Sequence, residues 1–499
     1  MGSFPRREVA ACAVLGAVYL GVFWWRNGAF LDSDEAVVGL MARHILRGEF
    51  PVFYWGQEYL GAVEAYLAAP FFALFGNSVQ ALKLVPVLFS IATIPIAADV
   101  LFIAAGRRAA IAGAFVFAFP PLAFSLWSIK ARGGFTETAE LGFWLLWMAL
   151  RMARSQHRQR WAAAFGLTLG VGLWWSYFVV PYAIVAVMVL LHQRFDLRSY
   201  AIVVALTVVG AAPALWHNAF TSHWATVVHA IHPDASQTNQ PDHAVPAEAL
   251  DHVEHIGLPA MMGLHDARVA PFDWSASGVG FGLAILMLFG LARLLSLSLD
   301  FRSLAASQAA LGPLLGAVLM VGLYVNSRFG YEPEPRYLLA LWLGVGCCYA
   351  AALDTLLEIN RWVGAGVALL LVGFQTWHTH FSEKPVDVAQ WRVGAPAVVS
   401  YAGLIEVLKS RGVTHLHADY WTAERITFES RETIIAADMR SSRNIEAKQI
   451  VSSDPRSCWL STVGNEADVM VARGWSGVLL GVEVPGLNQE QVLACPRDP

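Results

Sequence analysis

The chain has 499 residues, of which 56% are hydrophobic and 14% charged, with 19 Trp and a formal net charge of −4. Such apolarity with so little charge excludes an ordinary soluble domain and points to a polytopic membrane protein. The near-neutral balance and the lack of a basic stretch exclude a nucleic-acid partner.

Residues 1–30 have the basic start and apolar centre of a signal peptide, but Trp24-Trp25-Arg26 stands where a small-residue cleavage site would be. A Trp pair suits the membrane interface, so this stretch reads as an uncleaved first span. A span needs about 20 apolar residues, fewer where the helix is short or buried. On that measure the spans are 9–25, 78–103, 109–127, 139–152, 161–176, 178–192, 200–219, 277–294, 304–325, 337–353 and 362–379. That is about eleven crossings. Arg6, Arg7, Arg107, Arg108, Arg151, Arg154, Arg158, Arg160, Arg194, Arg198, Arg293, Arg302 and Arg361 then fall on one side, which the positive-inside rule makes the cytoplasm. The N-terminus is therefore expected in the cytoplasm. The acidic loops, and everything after residue 380, are expected outside.

The first outside loop holds Asp32, Asp34, Glu35, Glu49, Glu58 and Glu64. Carboxylates beside a bilayer are costly to desolvate and are expected to face water or a polar pocket. Two helical pieces, 34–47 and 60–75, are predicted here, separated by Arg47-Gly48-Glu49-Phe50-Pro51. Asp34 and Glu35, about 100° apart at a helix start, can point one group inward while the other meets a second partner. The plainer alternative is N-capping by Asp32 or Ser33, with acids favoured in the first turn.

In the second outside loop, Lys130-Ala131-Arg132-Gly133-Gly134-Phe135-Thr136-Glu137 places two cations where few are expected. The glycine pair can bring backbone N–H groups to an anion at the next helix start. Glu137 and Glu140 share a helix face. The alternative is capping with a flexible turn. The 220–276 segment is rich in His, and His252-x-x-His255 has helical metal spacing, but no third ligand is evident and no metal is expected. Further on, Asn326 to Tyr337 contains Arg328, Arg336 and Tyr337, with Pro335 suited to a helix start.

After residue 380 the pattern changes. A helix over 397–411, a strand over 413–418, a helix over 421–428 and a strand over 432–437 are predicted, an α/β arrangement with its own core. His415 to Trp421 ends a predicted strand, where α/β domains bind ligands. Cys458 and Cys495 are a candidate disulfide pair, two free thiols being the alternative. The expected organisation is thus a helical membrane domain, 1–380, and a small extracytoplasmic α/β domain, 381–499.

The layout, together with Asp34-Glu35, Gly56-Gln57-Glu58-Tyr59 and Glu64 to Pro70, resembles the GT-C glycosyltransferases, above all the protein O-mannosyltransferase and lipid A aminoarabinose transferase group. The resemblance covers roughly residues 1–380. It implies a GT-C-like fold with juxtamembrane helices in the cytoplasmic (inner) membrane. The implied activity is inverting transfer of a hexosyl or pentosyl group from a polyprenyl-phosphate sugar. Glycan, lipid or protein is the implied acceptor, membrane lipids are partners, and no further cofactor is needed. It implies Asp34 and Glu35 as the catalytic acids and Arg336, then Arg328, as donor-phosphate contacts, beside the Lys130 and Arg132 noted above. Asp32, Glu58, Glu64, Glu137 and Tyr337 are expected to meet acceptor or sugar. A lipid or glycan transporter or flippase, or a non-catalytic scaffold, is the competing reading. Charges gathered in loops rather than at mid-membrane argue against transport.

Overall fold

The computed structural model describes residues 3–221, 246–264, 271–299, 303–332, 334–381, 400–462, 476–480 and 491–496. By contacts the chain divides into two compact units. The first comprises Met1–Trp24, Pro86–Lys130 and Gly134–Glu383; the second comprises Trp25–Val85, Ala131–Gly133 and Lys384–Pro499. The segment after residue 383 is therefore part of a larger unit that includes Trp25–Val85.

The first unit is helical. Among the described residues, six helices are long and apolar enough to cross a membrane: Arg6–Asn27, Val79–Ala105, Leu197–Phe220, Gly278–Ser298, Leu304–Val325 and Leu341–Ile359. Helix α1 is Arg6–Asn27. The span expected over 109–127 is two helices, Arg107–Phe117 and Leu122–Trp127, because Pro120 and Pro121 lack the N–H that would continue the ladder. Residues 161–192 break at Ser176, whose extended backbone ends the helix Arg158–Trp175 and whose hydroxyl caps the next turn. Pro335 opens a short 3-10 turn, Pro335–Leu338, with the long helix following from Leu341.

In the second unit, α2 (Ser33–Leu46) begins the stretch that follows α1. The segment expected to be helical over 60–75 starts differently. Phe53–Tyr54 (β1) and Gln57–Gly61 (β2) form a small antiparallel hairpin, and α3 runs Val63–Phe75. Trp55-Gly56 is the turn, and Gly56 at φ +67 supplies the left-handed backbone it needs. The helix α4 (Val79–Leu82) follows, and α5 (Leu84–Ala105) leaves the unit at its start.

The C-terminal part of this unit carries a five-stranded sheet in the order β4-β3-β5-β7-β6, with β3 His415–His417, β4 Ile435–Ala437, β5 Cys458–Thr462, β6 Ser476–Leu480 and β7 Gln491–Cys495. Strand β3 runs parallel to β4 and β5, while β7 is antiparallel to β5 and β6. Tyr401, Leu404, Leu408, Leu416, Ile426 and Leu460 fill its core. Cys458 and Cys495 are joined as a disulfide, Cα–Cα 4.3 Å, linking β5 to β7.

The helix Tyr420–Glu429, following β3, packs directly on α2. A Cβ on Gly39 would come within 2.5 Å of the Phe428 ring, so glycine permits the close approach. Below this contact, Glu432 accepts from Arg43 (2.9 Å), His44 (3.1 Å) and Arg47 (2.6 Å). Burial alone would raise the Glu432 carboxyl, but the hydrogen bonds from His44, Arg47 and Arg43 bring it down to about 2, and Glu432 in turn raises His44. Glu432, with its folded value depressed, adds stability above its ordinary 4.5 that is lost as pH falls through about 2. His44, with its folded value raised, adds stability below its ordinary 6.5 that is lost as pH rises through the folded value. Amide protection around residues 428–433 is therefore expected to peak between about pH 4.5 and about 6.5. Hydrogen exchange should show this dependence flattened in Glu432→Gln; an unchanged profile would refute the clamp.

Candidate active site

The head of α2 is where the second unit gathers its charge. Asp32 caps the helix: its Oδ1 accepts from the Glu35 amide (3.0 Å), and Glu35 Oε2 accepts from the Asp32 amide (3.1 Å). This reciprocal box fixes the rotamers of both acids and satisfies two otherwise orphaned amides. Glu35 is wholly buried, and its other oxygen accepts from Lys83 Nζ (2.5 Å) and from the Ala131 amide (3.1 Å). Lys83, just after α4, stands in an apolar stretch and is equally buried.

Asp34, the residue between, turns another way. Its Oδ2 accepts from Arg132 Nε (2.8 Å) and from the Nη2 of the same guanidinium. Its Oδ1 accepts from the Tyr420 hydroxyl, and its backbone carbonyl accepts from the Tyr54 hydroxyl (2.9 Å). Arg132 also lies 3.5 Å from Asp32 Oδ2, and its guanidinium stands 5.9 Å from the Trp421 ring centre. The Arg132 side chain is 2% exposed, while those of Asp34 and Asp32 keep 18% and 19%, so solvent or a ligand reaches the carboxylate side of the pair.

In the 131–133 turn, backbone amides and the Arg132 side chain face carboxylates of the protein. The Ala131 amide meets Glu35, the Gly133 amide meets Glu64, and the Arg132 side chain meets Asp34. Gly133 takes φ +90 to turn its amide this way. Of the acids expected in the first loop, Asp32, Asp34, Glu35 and Glu64 thus converge within this unit, and Glu58 lies exposed on β2. Lys83 and Tyr420 complete the cluster. Lys83 was detectable as a lone cation in an apolar run, a pattern that marks a buried partner. Tyr420, 386 residues from Asp34, carried no local signal.

The other expected residues belong to the first unit. Lys130 stands 5.9 Å from the Trp127 ring centre. Glu137 and Glu140 are buried one turn apart near the start of the helix Phe135–Arg154. Arg336 is buried and lies 2.8 Å from Glu332 Oε2 and 3.0 Å from Glu334 Oε2. It donates to the Tyr337 hydroxyl (2.7 Å) and sits over the Tyr337 and Phe135 rings at 4.6 and 5.5 Å. Arg328 lies in the 3-10 turn Arg328–Tyr331, its side chain outside the described residues. Most of the His-rich segment also lies outside them, but His252 contacts the Gly330 carbonyl (3.0 Å) and His255 pairs with Asp251 (3.0 Å). Among the described residues no group of three or more His, Cys, Asp or Glu is placed to hold a metal ion.

The fold carrying these groups is the GT-C glycosyltransferase fold, and the chain is a membrane protein. The chain is similar to ArnT from Cupriavidus metallidurans bound to undecaprenyl phosphate, at 14% identity and a TM-score of 0.66, over 98% of this chain and 97% of that one. It is also similar to the oligosaccharyltransferase AglB from Archaeoglobus fulgidus, in complex with an inhibitory peptide and a dolichol-phosphate. That likeness has 14% identity and a TM-score of 0.51, over 92% of this chain and 70% of that one. No protein-family model matches the sequence, and no curated protein sequence matches it.

Proposed function

We propose that this chain is an inverting glycosyltransferase that moves a sugar from a polyprenyl-phosphate donor to an acceptor on the extracytoplasmic face of the cytoplasmic membrane. The observation that carries the reading is the Asp34–Arg132 pair, a carboxylate and a guanidinium in direct contact at a capped helix start, on a GT-C fold. The lipid carriers bound by the two neighbours, undecaprenyl phosphate and dolichol-phosphate, support the donor class.

Asp34 takes the proton of the acceptor hydroxyl as that oxygen attacks the anomeric carbon. The bond from this carbon to the phosphate oxygen breaks, and polyprenyl phosphate leaves with the electron pair. Attack opposite the leaving group inverts the anomeric centre. Arg132 passes from Asp34 to the phosphate, so the base loses its counter-charge as the charge on the leaving group gains one. Phosphate departs as a stable anion, which reduces the need for a general acid, a metal or a cofactor.

Glu35, tied to Lys83 and to two backbone amides, holds the helix start rather than touching substrate. Lys130, Arg328 and Arg336 remain proposed contacts for the donor phosphate. Asp32, Glu58, Glu64, Glu137 and Tyr337 remain proposed contacts for acceptor or sugar. The proposed topology has about eleven crossings, a cytoplasmic N-terminus and the 381–499 segment outside.

The test is incubation of purified full-length protein with undecaprenyl-phosphate sugars and lipid, glycan or peptide acceptors. The expected result is a new glycosidic bond, seen by mass spectrometry, with one polyprenyl phosphate released per bond. Movement of the lipid across a vesicle membrane with no new bond would identify a transporter instead.

A further inference from the structure

Two residues separate the helix Tyr420–Glu429 from β3, so it starts at the carboxyl end of a strand lying parallel to both its neighbours. Crevices beyond such strand ends are where α/β sheets bind ligands. Asp419 caps the helix through the Trp421 amide (3.0 Å), which sets the direction of its first turn. Both side chains of that turn reach the pair at the head of α2. Tyr420 donates to Asp34, and Trp421 lies beneath Arg132.

We infer that Tyr420 is a positioning residue for Asp34: its hydroxyl holds Oδ1 at the point an acceptor hydroxyl must approach and stabilises the ionised carboxylate. The inference rests on the transfer reading above. The Tyr420 ring is buried, and burial pushes its phenol well above the usual range, so it stays a donor across the working pH. Arg132 on Oδ2 and Tyr420 on Oδ1 hold the carboxylate, and Tyr54 on the carbonyl holds the backbone behind it. The charged and titratable groups around it are Asp32 and Glu35 on its own helix, Arg132 on the 131–133 turn, Tyr54 on β1, Tyr420 itself, and Arg443. The Arg443 guanidinium stands 5.7 Å from the Tyr420 ring centre.

Tyr420→Phe keeps the ring and removes only the hydroxyl. Loss of a donor to an ionised carboxylate raises its titration midpoint, here by about one pH unit. The measurement is infrared titration of the full-length protein, with the Asp34 carboxyl band assigned as the one missing from Asp34→Asn. The same preparations are assayed for transfer from an undecaprenyl-phosphate sugar. The expected result is an upward shift of the infrared midpoint and an equal shift of the acid limb of the rate profile, with thermal unfolding near wild type. Loss of stability alone, with both midpoints in place, would make Tyr420 a packing residue and overturn the assignment. If Asp34→Asn is inactive while Tyr420→Phe titrates and turns over as wild type, the inference fails and the transfer reading stands. If the wild type transfers no sugar, that reading fails first, and an infrared shift would then leave Tyr420 a neighbour of Asp34 with no part in a reaction.

Discussion

Asp34→Asn is expected to lower sugar transfer by about 10²–10⁴-fold, the usual contribution of a positioned base, while the protein still folds. The substitution leaves an oxygen that can accept from Arg132, and it spares the capping box, which uses Asp32 and Glu35 rather than Asp34. What it removes is the negative charge that draws a proton from the acceptor. The loss should appear in kcat more than in KM, because proton transfer develops only in the transition state. The preparation must release polyprenyl phosphate and form product at correspondingly reduced rates, assayed below a melting temperature that the loss of the carboxylate beside buried Arg132 will lower. Transfer within about threefold of wild type, far short of the range for a lost base, would remove Asp34 from the chemistry and with it the proposed mechanism.

Much of this arrangement was legible in the sequence, and the limits have physical causes. Apolar runs marked most helices because burial in lipid leaves few alternatives for a backbone that must satisfy its own hydrogen bonds. Where Pro120 and Pro121 interrupt one such run, the helix ends, although composition alone reads through them. The pattern Asp32-Ser33-Asp34-Glu35 allowed both a catalytic corner and a cap. The structure has a capping box built from Asp32 and Glu35, leaving Asp34 directed elsewhere. In the C-terminal segment, short strands near 415 and 435 and the helix between them follow from alternation and helical period. The hairpin at Phe53–Gly61 leaves no clear sequence pattern because its strands are short and the apolar residues after it have helical spacing. Partners far apart in sequence were not legible. Nothing local to Tyr420 indicates Asp34, and nothing local to Glu432 indicates Arg43 and His44 on the last turn of α2 and Arg47 just after it. Such pairings come from packing two helices against one another, a closeness that Gly39 permits and that has no periodicity to read.

Lys83→Met is expected to destabilise the protein by about 3–5 kcal/mol, the range for breaking a buried ion pair by removing one partner. The side chains of Lys83 and Glu35 are 2% and 1% exposed, so neither charge can be rescued by water without local opening. Glu35→Gln should cost about as much, although glutamine can still close the capping box, because the Lys83 ammonium then loses its carboxylate. The double substitution Glu35→Gln with Lys83→Met should cost less than the sum of the two, since each single change leaves behind a charge that the other would have removed. Thermal unfolding followed by helical circular dichroism would measure all three. Because Glu35 also accepts from the Ala131 amide, the Lys83 variant should loosen the 131–133 turn, and with it Arg132. Transfer should therefore fall even below the melting temperature, through a base whose counter-ion is no longer held in place. Single substitutions that shift stability by less than about 0.5 kcal/mol, the level of an ordinary surface change, would show that the pair does not anchor the head of α2.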